Sequence, residues 1–128
     1  MTQRTDNKDQ VIIVGAGIAG LSLAIQLTQK KTPCIVLEAR EGFGGTTSGV
    51  RISAKGVRVL QKMGIHNIGE KTEKLIMHFG NSQVKFDIKN KNGASPAIIV
   101  TRLAVFEKLR ERINDLGITV IYNFTLDN

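Results

Sequence analysis

The sequence predicts an α/β fold built on a parallel sheet, and three observations predict it. Two short apolar, β-branched runs, VIIV at 11–14 and CIVLE at 34–38, flank a glycine-rich turn and a helical stretch. The turn itself reads GAGIAG at 15–20. A third apolar run, ITVIY at 118–122, follows a second helical pattern. Strands that are continuously apolar and joined through helices belong to parallel sheets, because the crossover helices cover them.

Taken in order, residues 1–9 form a polar tail, and Val11 to Val14 form a strand expected to be buried on both faces. Gly15 turns the chain off that strand. Gly17 lacks a Cβ, so a pyrophosphate can approach the backbone, and Gly20 lets the next helix pack tightly on the sheet. That helix, expected over 18–30, opens with N–H groups and a partial positive charge aimed at an anionic ligand. The second strand, 34–38, closes on Glu38, 18 positions after Gly20, where a carboxylate can accept both hydroxyls of an adenosine ribose. Strand, G-x-G-x-x-G turn, helix, strand and acid together define a Rossmann-like βαβ unit for a dinucleotide. Gly15, Ala16, Gly17, Ile18 and Ala19 are expected to line the pyrophosphate through backbone N–H groups, with Gly20 beneath them. Glu38 is expected to take the ribose, and Ala39 and Arg40 to flank the adenine, with a solvated arginine as the alternative. An acid at position 38 opposes a 2′-phosphate, so NADP does not suit this site, and FAD and NAD both remain open.

Beyond the acid, residues 39–52 read as an irregular loop, and 54–63 as a helix capped by Ser53. Leu75, Met77 and Phe79 alternate before Gly80-Asn81-Ser82, and Val84, Phe86 and Ile88 alternate after it, which is a β-hairpin. Lys89 to Pro96 is a polar loop and Ile98 to Val100 a short strand. Thr101 then caps a helix whose expected apolar face is Leu103, Phe106, Leu109, Ile113 and Leu116, ended by Gly117 before the last strand.

At 128 residues the chain is read as one domain, 1–128. Its net charge of +7 comes from dispersed lysines, with no Trp and one Tyr, so the stacking platform of a nucleic-acid binder is absent. No apolar run approaches the roughly 20 residues of a membrane helix. The polar N-terminus has no secretion signal, and the single cysteine, Cys34, fits a reducing cytoplasm as a small buried hydrophobe. His66 and His78 are isolated from other ligand types, so no metal site is expected.

Three segments carry a resemblance. LEAREGFGGTTSG (37–49) resembles the stretch after the ribose-binding acid in FAD-dependent oxidoreductases. GVRISAKGVRVLQKMGI (49–65) and VTRLAVFEKLRERI (100–113) resemble flavin monooxygenases of the para-hydroxybenzoate hydroxylase type, which include salicylate-hydroxylase-like and tetracycline-inactivating enzymes. The Gly44-Gly45 pair also resembles the amine oxidase and phytoene desaturase group. The monooxygenase resemblance implies FAD, reduction by NAD(P)H, and O2-dependent hydroxylation of an aromatic or polyketide-like small molecule. It places Arg51 in a loop that approaches the flavin, where a surface ion pair is the alternative. It places Arg102 at a strand end near the pyrophosphate and ribityl, with an ion pair to an acid as the alternative. No residue reads as a general acid, base or nucleophile, so no catalytic residue is expected; the flavin carries the chemistry. Chains of that family continue to more than twice this length. The expectation is therefore the N-terminal FAD-binding part, incomplete at its C-terminus, with a further segment or a partner chain supplying the other walls. The alternatives are an amine-oxidase-like flavoprotein remnant and a truncated, non-catalytic nucleotide-binding paralogue.

Overall fold

Val11–Val14 (β1), Cys34–Leu37 (β2) and Thr119–Ile121 (β8) form a parallel sheet in the order β1-β2-β8. This is a computed structural model, and it describes residues 9–42, 47–87 and 96–126. The chain divides into two compact units, the first made of residues 1–44 and 108–128 and the second of residues 45–107.

In the first unit, β2 is the central strand, pairing Val11 with Cys34 through Val14 with Leu37 on one side and Ile35 with Thr119 through Leu37 with Ile121 on the other. Helix α1 (Ile18–Gln29) packs on β1 and β2, and buries Leu21, Ala24 and Ile25. Ile13 and Val36 are buried with them. Leu21, Ile25 and Val36 are wholly removed from water, each worth about 1.5–3 kcal/mol of burial. The expectation that β1 is buried on both faces does not hold. Successive side chains of a strand point to opposite faces, and α1 covers the Ile13 face. On the other face Ile12 and Val14 stay 62% and 64% exposed. At the start of β2, Cys34, expected to be buried, is only half-buried, and its S–H donates to the Ala24 carbonyl (3.6 Å), as a weakly polar packing residue does.

The second unit departs further from the sequence reading. The loop expected over 39–52 contains a strand, Gly49–Ile52 (β3), which pairs antiparallel with Ala97–Thr101 (β7). A strand absent from the sequence reading, Glu70–Thr72 (β4), pairs with the other edge of β7, giving the order β3-β7-β4. The central strand β7 supplies the apolar residues, with Ala97, Ile98 and Val100 buried. Helix α2 (Ala54–Lys62) lies against β7, and its Ser53 hydroxyl accepts the Gly56 N–H at 3.3 Å, as the capping reading requires. The hairpin is observed as Lys74–Phe79 (β5) and Ser82–Asp87 (β6), with Gly80 at φ +59° in the turn.

Helix α3 (Arg102–Asp115) starts in the second unit and ends in the first. Thr101 caps it, its hydroxyl accepting the Ala104 N–H at 3.1 Å. The buried face is Val105, Phe106, Leu109 and Ile113, whereas Leu103, expected in that face, is 37% exposed. At 3.6 residues per turn, Leu103 lies about 120° around the helix from Leu109, and Val105 only about 40°. Residues 1–8, the Gly44-Gly45 pair, the end of the expected hairpin at Ile88 and most of the 89–96 loop lie outside the described residues. Among the described residues, no helix is long and apolar enough to cross a membrane.

Candidate functional site

The turn between β1 and α1 is held from three sides. Gly15 sits at φ +98°, a conformation that glycine adopts without the strain a side chain brings, and its N–H donates to the Leu37 carbonyl at 2.7 Å. The next amide, Ala16 N–H, donates to Glu38 Oε2, also at 2.7 Å. Gly20 closes the third side. A Cβ there would run into the Gly15 carbonyl oxygen and lie 3.3 Å from Ile13 Cγ2, so only glycine lets α1 approach this closely.

Gly17 differs from Gly20 in kind. It is the N-cap of α1 with extended backbone, and a Cβ built on it meets nothing within 4 Å. No side chain caps the helix there. The first intrahelical bond runs from Leu21 N–H to Gly17 O (2.9 Å), so the N–H groups of Gly17, Ile18, Ala19 and Gly20 have no partner within the helix. Of the amides expected to line a pyrophosphate, Gly15 and Ala16 are thus engaged within the chain. The open ones begin at Gly17.

Glu38 follows β2 with its carboxylate turned back on this turn. Its Oε1 accepts the Arg40 N–H at 2.9 Å while Oε2 holds Ala16. These two N–H donors hold the carboxyl below its ordinary range, the Arg40 amide contributing most and then Ala16, against partial desolvation, with the Arg40 charge adding a little. A carboxylate oxygen has two lone-pair sites, so each oxygen keeps room for a second donor such as a sugar hydroxyl. Ala39 and Arg40 are exposed beside it.

The sequence reading missed the segment after β8. Glu38 N–H donates to the Ile121 carbonyl, Phe124 N–H to the Glu38 carbonyl and Asn123 N–H to the Arg40 carbonyl, so residues 121–124 fasten the acid's backbone. Asn123 makes this turn at φ +56°, a conformation that asparagine tolerates better than most side chains, and that was its only sequence signal. Tyr122 lies in the same segment; burial raises its hydroxyl pKa, the Glu38 charge adds to this, and Arg110 opposes it.

The remaining expected contacts fall in the second unit. Arg51 lies exposed on β3 opposite Ile99, and Arg102 opens α3 with its N–H on the Ser48 carbonyl (3.0 Å). Among the described residues, no group of three His, Cys, Asp or Glu side chains is placed to hold a metal ion.

An open glycine at an uncapped helix N-terminus, with a carboxylate at the end of the neighbouring parallel strand, suits the ADP half of a dinucleotide. Comparison with known proteins agrees: residues 13–79, more than half of the chain, match the NAD(P)-binding Rossmann-like domain family, and the chain belongs to it. Among curated relatives, the 6-methylpretetramide 4-monooxygenase of Streptomyces rimosus is 25% identical over 91% of this chain and 22% of its own length. The L-amino acid oxidase of Cerastes cerastes is 44% identical, over 42% of this chain and 10% of its own. Among solved structures, the tetrameric form of 2-methyl-3-hydroxypyridine-5-carboxylic acid oxygenase superposes with a TM-score of 0.72 at 24% identity, covering 89% of this chain and 31% of that one. The chain spans about a fifth or less of the length of these curated relatives.

Proposed function

We propose that this chain is the FAD-anchoring portion of a flavin-dependent monooxygenase that hydroxylates an aromatic or polyketide-like small molecule with NAD(P)H and O2. The observation that carries this reading is the open backbone at Gly17, one residue from the amide that Glu38 holds. The N–H groups of Gly17, Ile18, Ala19 and Gly20 take the pyrophosphate, and Gly15 and Ala16 shape the turn that presents them. Glu38 accepts the adenosine ribose hydroxyls, and Ala39 and Arg40 flank the adenine. Arg51 and Arg102 are further cofactor contacts that the monooxygenase resemblance implies. Bound FAD supplies the redox chemistry with O2; this chain binds and orients it. Because the longer relatives match over only part of their length, the other walls of the flavin site come from polypeptide beyond these residues, in the same chain or a partner. A single cysteine, which can form no internal disulfide, suits a cytoplasmic setting.

The amine-oxidase-like reading is favoured by the higher identity to the L-amino acid oxidase. The monooxygenase reading is preferred because that match extends over nearly the whole chain, whereas the oxidase match covers less than half. Titration of FAD, ADP and NADP into the purified chain, followed by flavin fluorescence and calorimetry, tests the site. FAD and ADP are expected to bind, and NADP more weakly. Failure of both FAD and ADP to bind, or equal binding of NADP, would remove the proposal.

A further inference from the structure

Glu38 does more in this fold than stand at the end of a strand awaiting a ribose. Apart from the close packing of Gly20, the turn after β1 has no side chain of its own to hold its shape: α1 carries no side-chain cap, and Gly15 and Gly17 are residues with much backbone freedom to lose. What fixes the turn arrives from β2. Leu37 takes the Gly15 amide through its carbonyl, and Glu38 takes the Ala16 amide through its carboxylate, 22 positions along the chain. The other carboxylate oxygen is anchored on Arg40 N–H, and the Glu38 backbone is tied on both sides, to Ile121 and Phe124. The carboxylate is therefore a fixed point and the glycine turn the part that it steadies.

We propose that Glu38 is a positioning residue for the phosphate-binding turn: its carboxylate latches Ala16, setting the Gly15–Gly17 backbone in its ligand-receiving conformation before any ligand arrives. This rests on the dinucleotide reading for its purpose, but the latch itself is a property of the ligand-free chain. The latch and the ribose do not compete, since each carboxylate oxygen can accept a second hydrogen bond. The same side chain thus serves two parts of one ligand: the diol directly, and the pyrophosphate through the turn. A ligand without ribose hydroxyls still depends on Glu38.

Two measurements test this. The first is amide hydrogen exchange on the 128-residue chain without ligand, comparing wild type with Glu38→Ala and Glu38→Met. A hydrogen bond to a charged group stabilises by about 1.5–3 kcal/mol, so exchange at Ala16 should accelerate about tenfold or more in Glu38→Ala. Amides in the middle of α1, from Ala24 to Gln26, should be unchanged and serve as the internal reference. If Glu38→Ala does not fold, Glu38→Met gives the reading, because its side chain keeps the length and removes both carboxylate acceptors. Unaltered Ala16 exchange in a folded variant overturns the latch.

The second measurement compares ADP with 2′,3′-dideoxyadenosine diphosphate on wild type and on Glu38→Met, which has no acceptor for Ala16. The latch predicts that the variant loses affinity for both, by about tenfold for the ligand lacking the diol. Loss confined to ADP would make Glu38 a ribose acceptor only and overturn the proposal. Should neither nucleotide bind the wild-type chain, the dinucleotide reading fails, while the exchange result still decides whether the latch exists.

Discussion

Gly17 and Gly20 sit three residues apart in one motif, and the structure assigns them opposite duties that a pair of alanine substitutions can separate. In Gly20→Ala, the new methyl would meet the Gly15 carbonyl oxygen and stand 3.2 Å from the Gly15 carbonyl carbon. Backbone cannot swing aside as a flexible side chain can, so α1 must shift away from β1, loosening contacts such as that to Ile13 Cγ2. Overpacking of this kind costs about 1–3 kcal/mol. Exchanging glycine for alanine in a helix returns up to about 1 kcal/mol. A methyl set against unyielding backbone lies at the upper end of that cost, so a net loss of about 2 kcal/mol follows, or about 8 °C in Tm for a chain of this length. Gly17→Ala adds its methyl to open space at φ −76°, so stability should change by no more than about 1 kcal/mol. That methyl instead occupies the approach to the free N–H groups, and nucleotide affinity should fall. Urea unfolding followed by circular dichroism, with calorimetric titration of ADP, measures both effects on both variants. A Gly20→Ala variant as stable as wild type, or a Gly17→Ala variant that binds ADP normally, would overturn this division of roles.

Glu38 has a folded-state pKa below its ordinary value of 4.5, so its ionised hydrogen bonds add stability above that pH and lose it as pH falls through the lowered value. Glu38→Gln should therefore flatten part of the acid-side decline in stability, measured by unfolding midpoints between about pH 6 and pH 3; an unchanged slope would contradict this. Leu109 is fully buried and Leu103 is 37% exposed, so Leu109→Ala should cost about 2–5 kcal/mol while Leu103→Ala stays within about 1 kcal/mol in the same denaturation assay. Ser53→Ala removes the acceptor for Gly56 N–H and should destabilise by about 1 kcal/mol, with Ser53→Asp restoring most of it.

The first unit was legible because its strands carry their own signal: VIIV and CIVL are strands by composition, and the glycine turn between them admits few other conformations. The β-hairpin and both helix caps were readable for the same reason, since turn and cap chemistry is local. Strands β3 and β4 were not. Gly-Val-Arg-Ile and Glu-Lys-Thr have little strand character of their own, and form strands because β7 offers two unpaired edges. Pairing of that sort is decided by a neighbour distant in sequence. The bare face of β1 was misjudged because a continuous apolar run states only that a strand is apolar, not how many layers cover it. At the site, the open glycine and the acid were foreseen. The carboxylate's grip on Ala16 was not, because no spacing rule records which way a side chain folds back.

The division of the first unit between residues 1–44 and 108–128 shapes how this chain folds as it is made. The central strand β2 emerges early from the ribosome, yet one of its two edges waits for β8, whose pairing closes a loop spanning most of the sequence. Loop closure of that length costs entropy before any contact compensates, and it slows folding relative to local structure. The second unit, continuous in sequence, has no such wait and can assemble first. Until Thr119 to Ile121 arrive, nascent chains carry β2 with an open apolar edge, the state most exposed to mispairing and to chaperone capture.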